Sequence, residues 1–177
     1  MKILKQIAAF ITVGLGILVS ATQALAADLP QRSSPAARTT NKVPHIQIGA
    51  KQVPVLSEQL AHHAATLPGV EVRNTVISLP GAKGFWISDQ IELARPQAIV
   101  GGREFAHIHP DGSLHISLSP DRAKEAVDTG WAAFHPWSDR PGWEGFVLLY
   151  SPRFQEEADV VLKLIFDGYE YVTGKKP

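Results

Sequence analysis

The stretch "EFAHIHPDGSLHIS", Glu104–Ser117, decides the fold. Three of the chain's seven histidines fall within nine residues of it. Pro-Asp-Gly between two alternating runs predicts a β-hairpin with a three-residue loop. Pro presets the first turn position, Asp suits the second, and Gly takes the left-handed position of a bulge. That register sets His107 opposite His115, Ile108 opposite Leu114, and His109 opposite Ser113. Hydrophobicity agrees with it. Ala106, Ile108, Leu114, Ile116 and Leu118 fall on one face, and Phe105, His107, His109, Ser113, His115 and Ser117 on the other. A two-residue turn would mix histidines with isoleucines on both faces, because a slip of one residue exchanges the faces. By the same parity Glu104 belongs to the apolar side.

The flanking segments extend the pattern. "SEQLAHHAATLPG" reads as a short helix capped by Ser57 and ended by Pro68-Gly69, with His62 and His63 on its solvated face. "VEVRNTVISL" and "FWIS" alternate as strands around the turn "PGAKG". "IELARPQAIVGG" is ambiguous, with Ile99-Val100 a candidate short strand. Ser119-Pro120 opens a second helix, with Ser as N-cap and Pro in the first turn, and Gly130 closes it. "WAAFHPWSDRPGWE" is an aromatic loop, and "GFVLLY" has strand length. Ser151-Pro152 is a further helix-start signal. The final helix carries Ala158, Val161, Leu162, Ile165, Phe166, Tyr169 and Val172 at three- and four-residue steps. The order predicts an α+β domain, a largely antiparallel sheet with a central β-hairpin and helices packed on one face.

The N-terminus reads as a targeting segment. Lys2 and Lys5 precede the apolar run Ile7–Ala21, and "TQALA" ends it with small residues at Ala24 and Ala26. The expectation is a signal peptide over residues 1–26, cleaved after Ala26, and a periplasmic or secreted protein. An uncleaved N-terminal anchor is the alternative. Residues 27–45 are polar and Pro-rich and read as a flexible leader, so the domain is expected over residues 46–174. The chain has 177 residues, no Cys and a formal net charge of zero. No disulfide or thiol chemistry is available, and no basic field argues for nucleic acid. No membrane span is expected after signal cleavage.

The candidate site is the histidine face. His107, His109 and His115 on a rigid hairpin suit a divalent metal such as zinc with an open position for water. Without a metal the same face is an acid–base or ligand site, a solvated polar surface, or a set of histidines bonded to loop carbonyls. Mutual repulsion lowers the pKa of such rings unless a carboxylate faces them. His135 and Trp137, in the aromatic loop, join the pocket if that loop folds over the histidines; otherwise the loop plugs an edge of the core. The sequence has no G-x-S-x-G elbow, no H-E-x-x-H and no phosphate loop. Three functions follow: a domain binding a small molecule or partner on the His/aromatic face, a metal-dependent enzyme with three His ligands, and a scaffold docking on an envelope protein.

"GGREFAHIHPDGSLHISLSP", "GWAAFHPW" and "GFVLLYSPR" together resemble the luciferase-domain family. The likeness runs over roughly Leu67–Val172 and includes "LPGVEVR" and "SLPGAKGFW". The resemblance implies a small α+β domain of bacterial and fungal type. It draws attention to His107, His109, His115 and His135 without assigning them a chemical role.

Overall fold

The computed structural model describes residues 28–49 and 51–177. The expected signal segment lies outside the described residues. The hairpin has the register its turn demands. Strands β5 (Glu104–Ile108) and β6 (Leu114–Ser117) pair antiparallel with Ala106 opposite Ile116, His107 opposite His115 and Ile108 opposite Leu114. His109 closes the loop, its N–H donating to Ser113 O at 2.8 Å and its carbonyl accepting from Gly112 N at 2.9 Å. Gly112 holds φ +83°, where a Cβ is strained.

The other elements, with the two short strands of the leader counted first, are β1 (Arg38–Thr39), β2 (Gln47–Ile48), α1 (Pro54–Ala64), β3 (Val70–Asn74), β4 (Lys83–Ile87), α2 (Pro120–Asp128), β7 (Ala132–Phe134), β8 (Phe146–Leu149) and α3 (Gln155–Thr173). The main sheet has the order β3-β4-β5-β6-β8-β7, and every neighbouring pair is antiparallel. α3 packs on β5 and β6, and α1 on α3, β3 and β4. Phe85, Ile108, Leu114, Ile116, Val147, Ile165 and Tyr169 meet in that core. Gly168 lets α3 approach closely, since a Cβ there would stand 2.5 Å from Ile116 Cδ1. The architecture is α+β, with a two-stranded sheet beside the six-stranded one. Among the described residues no helix is long and apolar enough to cross a membrane.

Several local expectations shift. α1 starts at Pro54 rather than at Ser57, because Pro54 presets the first helical φ. Ser119 caps α2 as expected, accepting from Arg122 N at 3.3 Å. Ser151-Pro152 does not open α3; the helix begins at Gln155, and Ser151 instead bonds to Gln47. Ile99-Val100 forms no strand and follows a 3-10 turn, Pro96–Ala98. Ala132–Phe134, read as part of a loop, forms the edge strand β7.

The parity of β5 breaks at its start. Phe85 pairs with Ala106 and Trp86 with Glu104, so Phe105 is an extra residue, a β-bulge. The bulge sends Phe105 into the core, 6.1 Å centroid to centroid from Tyr169. It also carries Glu104 from the expected apolar side to the histidine side.

Residues 28–45, expected as a flexible leader, lie packed against the domain. Leu29, Arg32, Ser34 and His45 are buried. The guanidinium of Arg32 donates to both carboxylate oxygens of Glu157, at 3.1 and 2.8 Å, and to Ser151 O at 3.2 Å. Composition misses this because one buried Arg and one Leu anchor a stretch that is otherwise polar.

Candidate functional site

The face of the sheet opposite α1 and α3 is covered, not solvated. His107, His109, His115 and His135 are each 5% exposed or less, and Ser113 and Ser117 are equally shielded. Three segments form the cover: residues 43–46, residues 77–79, and the loop after β7. Beneath them lies a cavity of about 380 Å³. His45, His107, His109, His115 and His135 line it, with Trp137, Phe146, Ile77 and Leu79 among the apolar walls. The described lining holds no Asp, Glu, Lys or Arg.

The hairpin register brings His107, His109 and His115 together, with ring centroids 4.8 to 5.3 Å apart. β7 adds His135, whose centroid is 5.0 Å from His115. Trp137 meets His135 edge-on at 5.1 Å between centroids, and the Arg140 guanidinium lies 4.3 Å from the Trp137 ring centroid. Trp143 does not line the cavity, and its Nε1 donates to Gln97 O at 3.1 Å. His62 and His63 stay on the exposed face of α1.

Two members were not legible in the sequence. His45 comes from the polar leader, and its Nδ1 lies 3.2 Å from His115 Nε2. The local alternation His-Ile-Gln-Ile misleads here, since His45 and Gln47 are buried while Ile48 is exposed. Glu104 arrives through the bulge. It is 2% exposed and accepts from Thr75 Oγ1 at 2.7 Å and Val76 N at 3.1 Å. Gly84 makes room for it, because a Cβ there would stand 2.7 Å from Glu104 Oε2.

These partners assign the ring protons. Glu104 Oε1 is 3.0 Å from His107 Nδ1, at ion-pair distance although the ring N–H is not aligned as a hydrogen bond. The carboxylate favours a proton on Nδ1 and leaves the His107 lone pair on Nε2, which faces His115 Nδ1. Ser113 Oγ donates to Asp111 Oδ1 at 2.7 Å, so it accepts from His109 Nδ1 at 2.9 Å. His109 therefore keeps a free Nε2 lone pair. His115 meets His107 Nε2 through Nδ1 at 3.0 Å and His45 through Nε2. His135 differs. Its Nδ1 accepts from Trp137 N at 3.1 Å, so the neutral ring carries its proton on Nε2.

Burial favours the neutral form of four of these rings. It pushes His109 down to about 4, with repulsion from His107 second, and His135 down to about 3, with His45 and His107 adding to it. His115 lies well below its ordinary value and His45 below it, again chiefly through burial. Neutral imidazole is the metal-binding form.

Two triads have one ring nitrogen each within 4.8 Å of one another: His107, His109 and His115, and His45, His115 and His135. Adjacent ligand nitrogens of a tetrahedral zinc site stand about 3.3 Å apart, given Zn–N bonds of about 2.0–2.1 Å. The first triad fits that chemistry better. Each of its rings has the other nitrogen held by a partner, the arrangement that orients metal-binding imidazoles. The second requires a lone pair on His135 Nε2, which its bond from Trp137 opposes.

Residues 102–166 match the luciferase domain family. The chain is similar to proteins named luciferase from fungi. That of Armillaria mellea is 30% identical over 168 residues, covering 83% of this chain and 62% of its own length. The Armillaria gallica protein is 29% identical over the same span. That of Neonothopanus nambi is 38% identical over 78 residues, 41% of this chain and 29% of its own. The chain thus spans 62% of the length of the first relatives it matches. No solved structure matches. His107, His109, His115 and His135 lie inside the matched residues, and His45 lies outside them.

Proposed function

We propose, from the match of residues 102–166 to the luciferase domain family and the geometry of the cavity, that it holds a transition-metal ion on His107, His109 and His115, with a small molecule bound beside it. One observation carries this reading. The three hairpin imidazoles each have one nitrogen held, by Glu104, by the Ser113–Asp111 pair and by His45, and one lone pair left to give. An all-imidazole set suits zinc, copper, iron or nickel rather than magnesium or calcium. Three protein ligands leave a coordination position for water or an oxygen atom of the bound molecule. The His135 Nε2 proton then offers a donor, and Trp137, Phe146, Ile77 and Leu79 an apolar bed. The relatives named luciferase support a small-molecule role for the cavity.

Metal analysis of untagged protein tests the reading. The expected result is about one ion per chain at neutral pH, lost in His107→Ala and His115→Ala and kept in His135→Ala. Protein that retains no zinc, copper, iron or nickel after incubation with each would overturn it. The metal-free reading is a ligand pocket in which His45 donates to His115, His115 to His107, and His107 faces Glu104; the consistent direction of that chain favours it. We also read the protein as exported, from the Met1–Ala26 pattern, and cell fractionation with N-terminal sequencing checks that.

A further inference from the structure

We infer that residues 28–49 are a strap that closes the histidine cavity, and that Arg32 is the positioning residue that latches it. The inference rests on the reading that the cavity is a binding site. The strap is held hard at two places and lightly between them. Upstream, Leu29 N donates to Glu125 Oε1 at 2.8 Å and Arg32 N to Thr129 O at 2.9 Å. The Arg32 guanidinium grips Glu157 and lies 5.7 and 5.5 Å from the ring centroids of Trp131 and Tyr150. Downstream, the Gln47 amide donates to Ser151 Oγ at 2.8 Å and accepts from Ser151 N at 3.0 Å.

Between the anchors, β1 and β2 pair only with each other and not with the main sheet. Thr40 closes the tip on itself, its Oγ1 donating to Pro44 O at 2.7 Å and accepting from Ile46 N at 3.0 Å. Residues 41–44 are exposed, and His45 alone of residues 38–46 is buried. Among the described residues, the tip makes one side-chain hydrogen bond to the sheet, His45 to His115. A neutral pair of that kind is much weaker than a buried, twice-bonded ion pair. The tip is therefore the part that opens, as a preformed loop, while the anchors keep it in register. Val43, Pro44, His45 and Ile46 form one wall of the cavity, so opening uncovers it.

Trypsin tests this directly, because Arg38 and Lys42 are exposed on the strap. Cleavage after these residues should show a much shallower urea dependence than global unfolding, the sign of local opening. The variant Arg32→Met takes away the latch's hydrogen bonds and leaves Glu157 buried without its partner, and it should raise that cleavage rate about tenfold. It should also speed cobalt(II) uptake by a similar factor without changing stoichiometry or the visible absorption of the bound ion. If the Arg32→Met variant does not fold, Gln47→Ala frees the other anchor and is expected to act in the same direction. Cleavage that follows global unfolding, or variants with unchanged cleavage rates, overturns the strap. Absence of cobalt binding overturns the metal reading alone, since the protease measurement stands without a metal.

Discussion

Glu104 shows how a single extra residue redirects a side chain. Without the bulge at Phe105, Glu104 would point at the core and Phe105 at the histidines. With it, a buried carboxylate stands behind His107, and an aromatic ring meets Tyr169. Four of the rings, His45, His109, His115 and His135, have their pKa lowered by burial in a space whose described lining has no charged group, and this has a measurable consequence. In the unfolded chain each ring takes a proton below about pH 6.5, whereas folded His109 and His135 resist until about 4 and 3. The unfolded state thus binds more protons as pH falls, and stability is lost below about 6.5. For chelator-treated protein, urea midpoints should be level from pH 8 to 7. The midpoints should then fall toward pH 5, the unfolding free energy dropping by about 1.4 kcal/mol per pH unit for each ring that stays neutral. A midpoint that is level across this range would show that the rings are not shielded as described.

At the scale of elements, the hairpin is the unit that makes the site. Its strand register follows from Pro-Asp-Gly and from the apolar face, two signals that agree. Gly112 is the hinge of that agreement. Gly112→Ala forces a Cβ into φ +83° and sets it 2.6 Å from Ser57 Oγ. The expected cost is about 1–2 kcal/mol, read from urea unfolding, with the Ser113–His109 contact loosened. No loss of stability would mean that the turn relaxes into another type. α3 was equally legible, since its apolar positions repeat at helical spacing along nineteen residues. The bulge at Phe105 and the edge strand β7 were not. A bulge has no signature in alternation until its partner strand is known, and a three-residue strand is too short to show a period.

Over the whole molecule, Arg32 and Glu157 join residues 125 apart in sequence. Their side chains are 3% and 2% exposed, so removing one partner strands a charge in the interior. Glu157→Ala should cost about 3–5 kcal/mol, visible in thermal unfolding. Asp128→Ala, which breaks the exposed Lys124–Asp128 pair, should cost no more than about 1 kcal/mol. Comparable losses in the two variants would mean that the Arg32 pair is solvated.

The sequence by itself determined the α+β class, the hairpin register and the common face of His107, His109 and His115. Each of these follows from local turn chemistry and from periodicity within one or two elements. Only the tertiary structure decided that this face is roofed over, that Glu104 stands behind it, and that His45 joins it from the leader. Those contacts pair residues far apart along the chain, and their energy comes from burial and charge pairing at a distance. Neighbouring residues carry no trace of such partners, so alternation and composition pass over them.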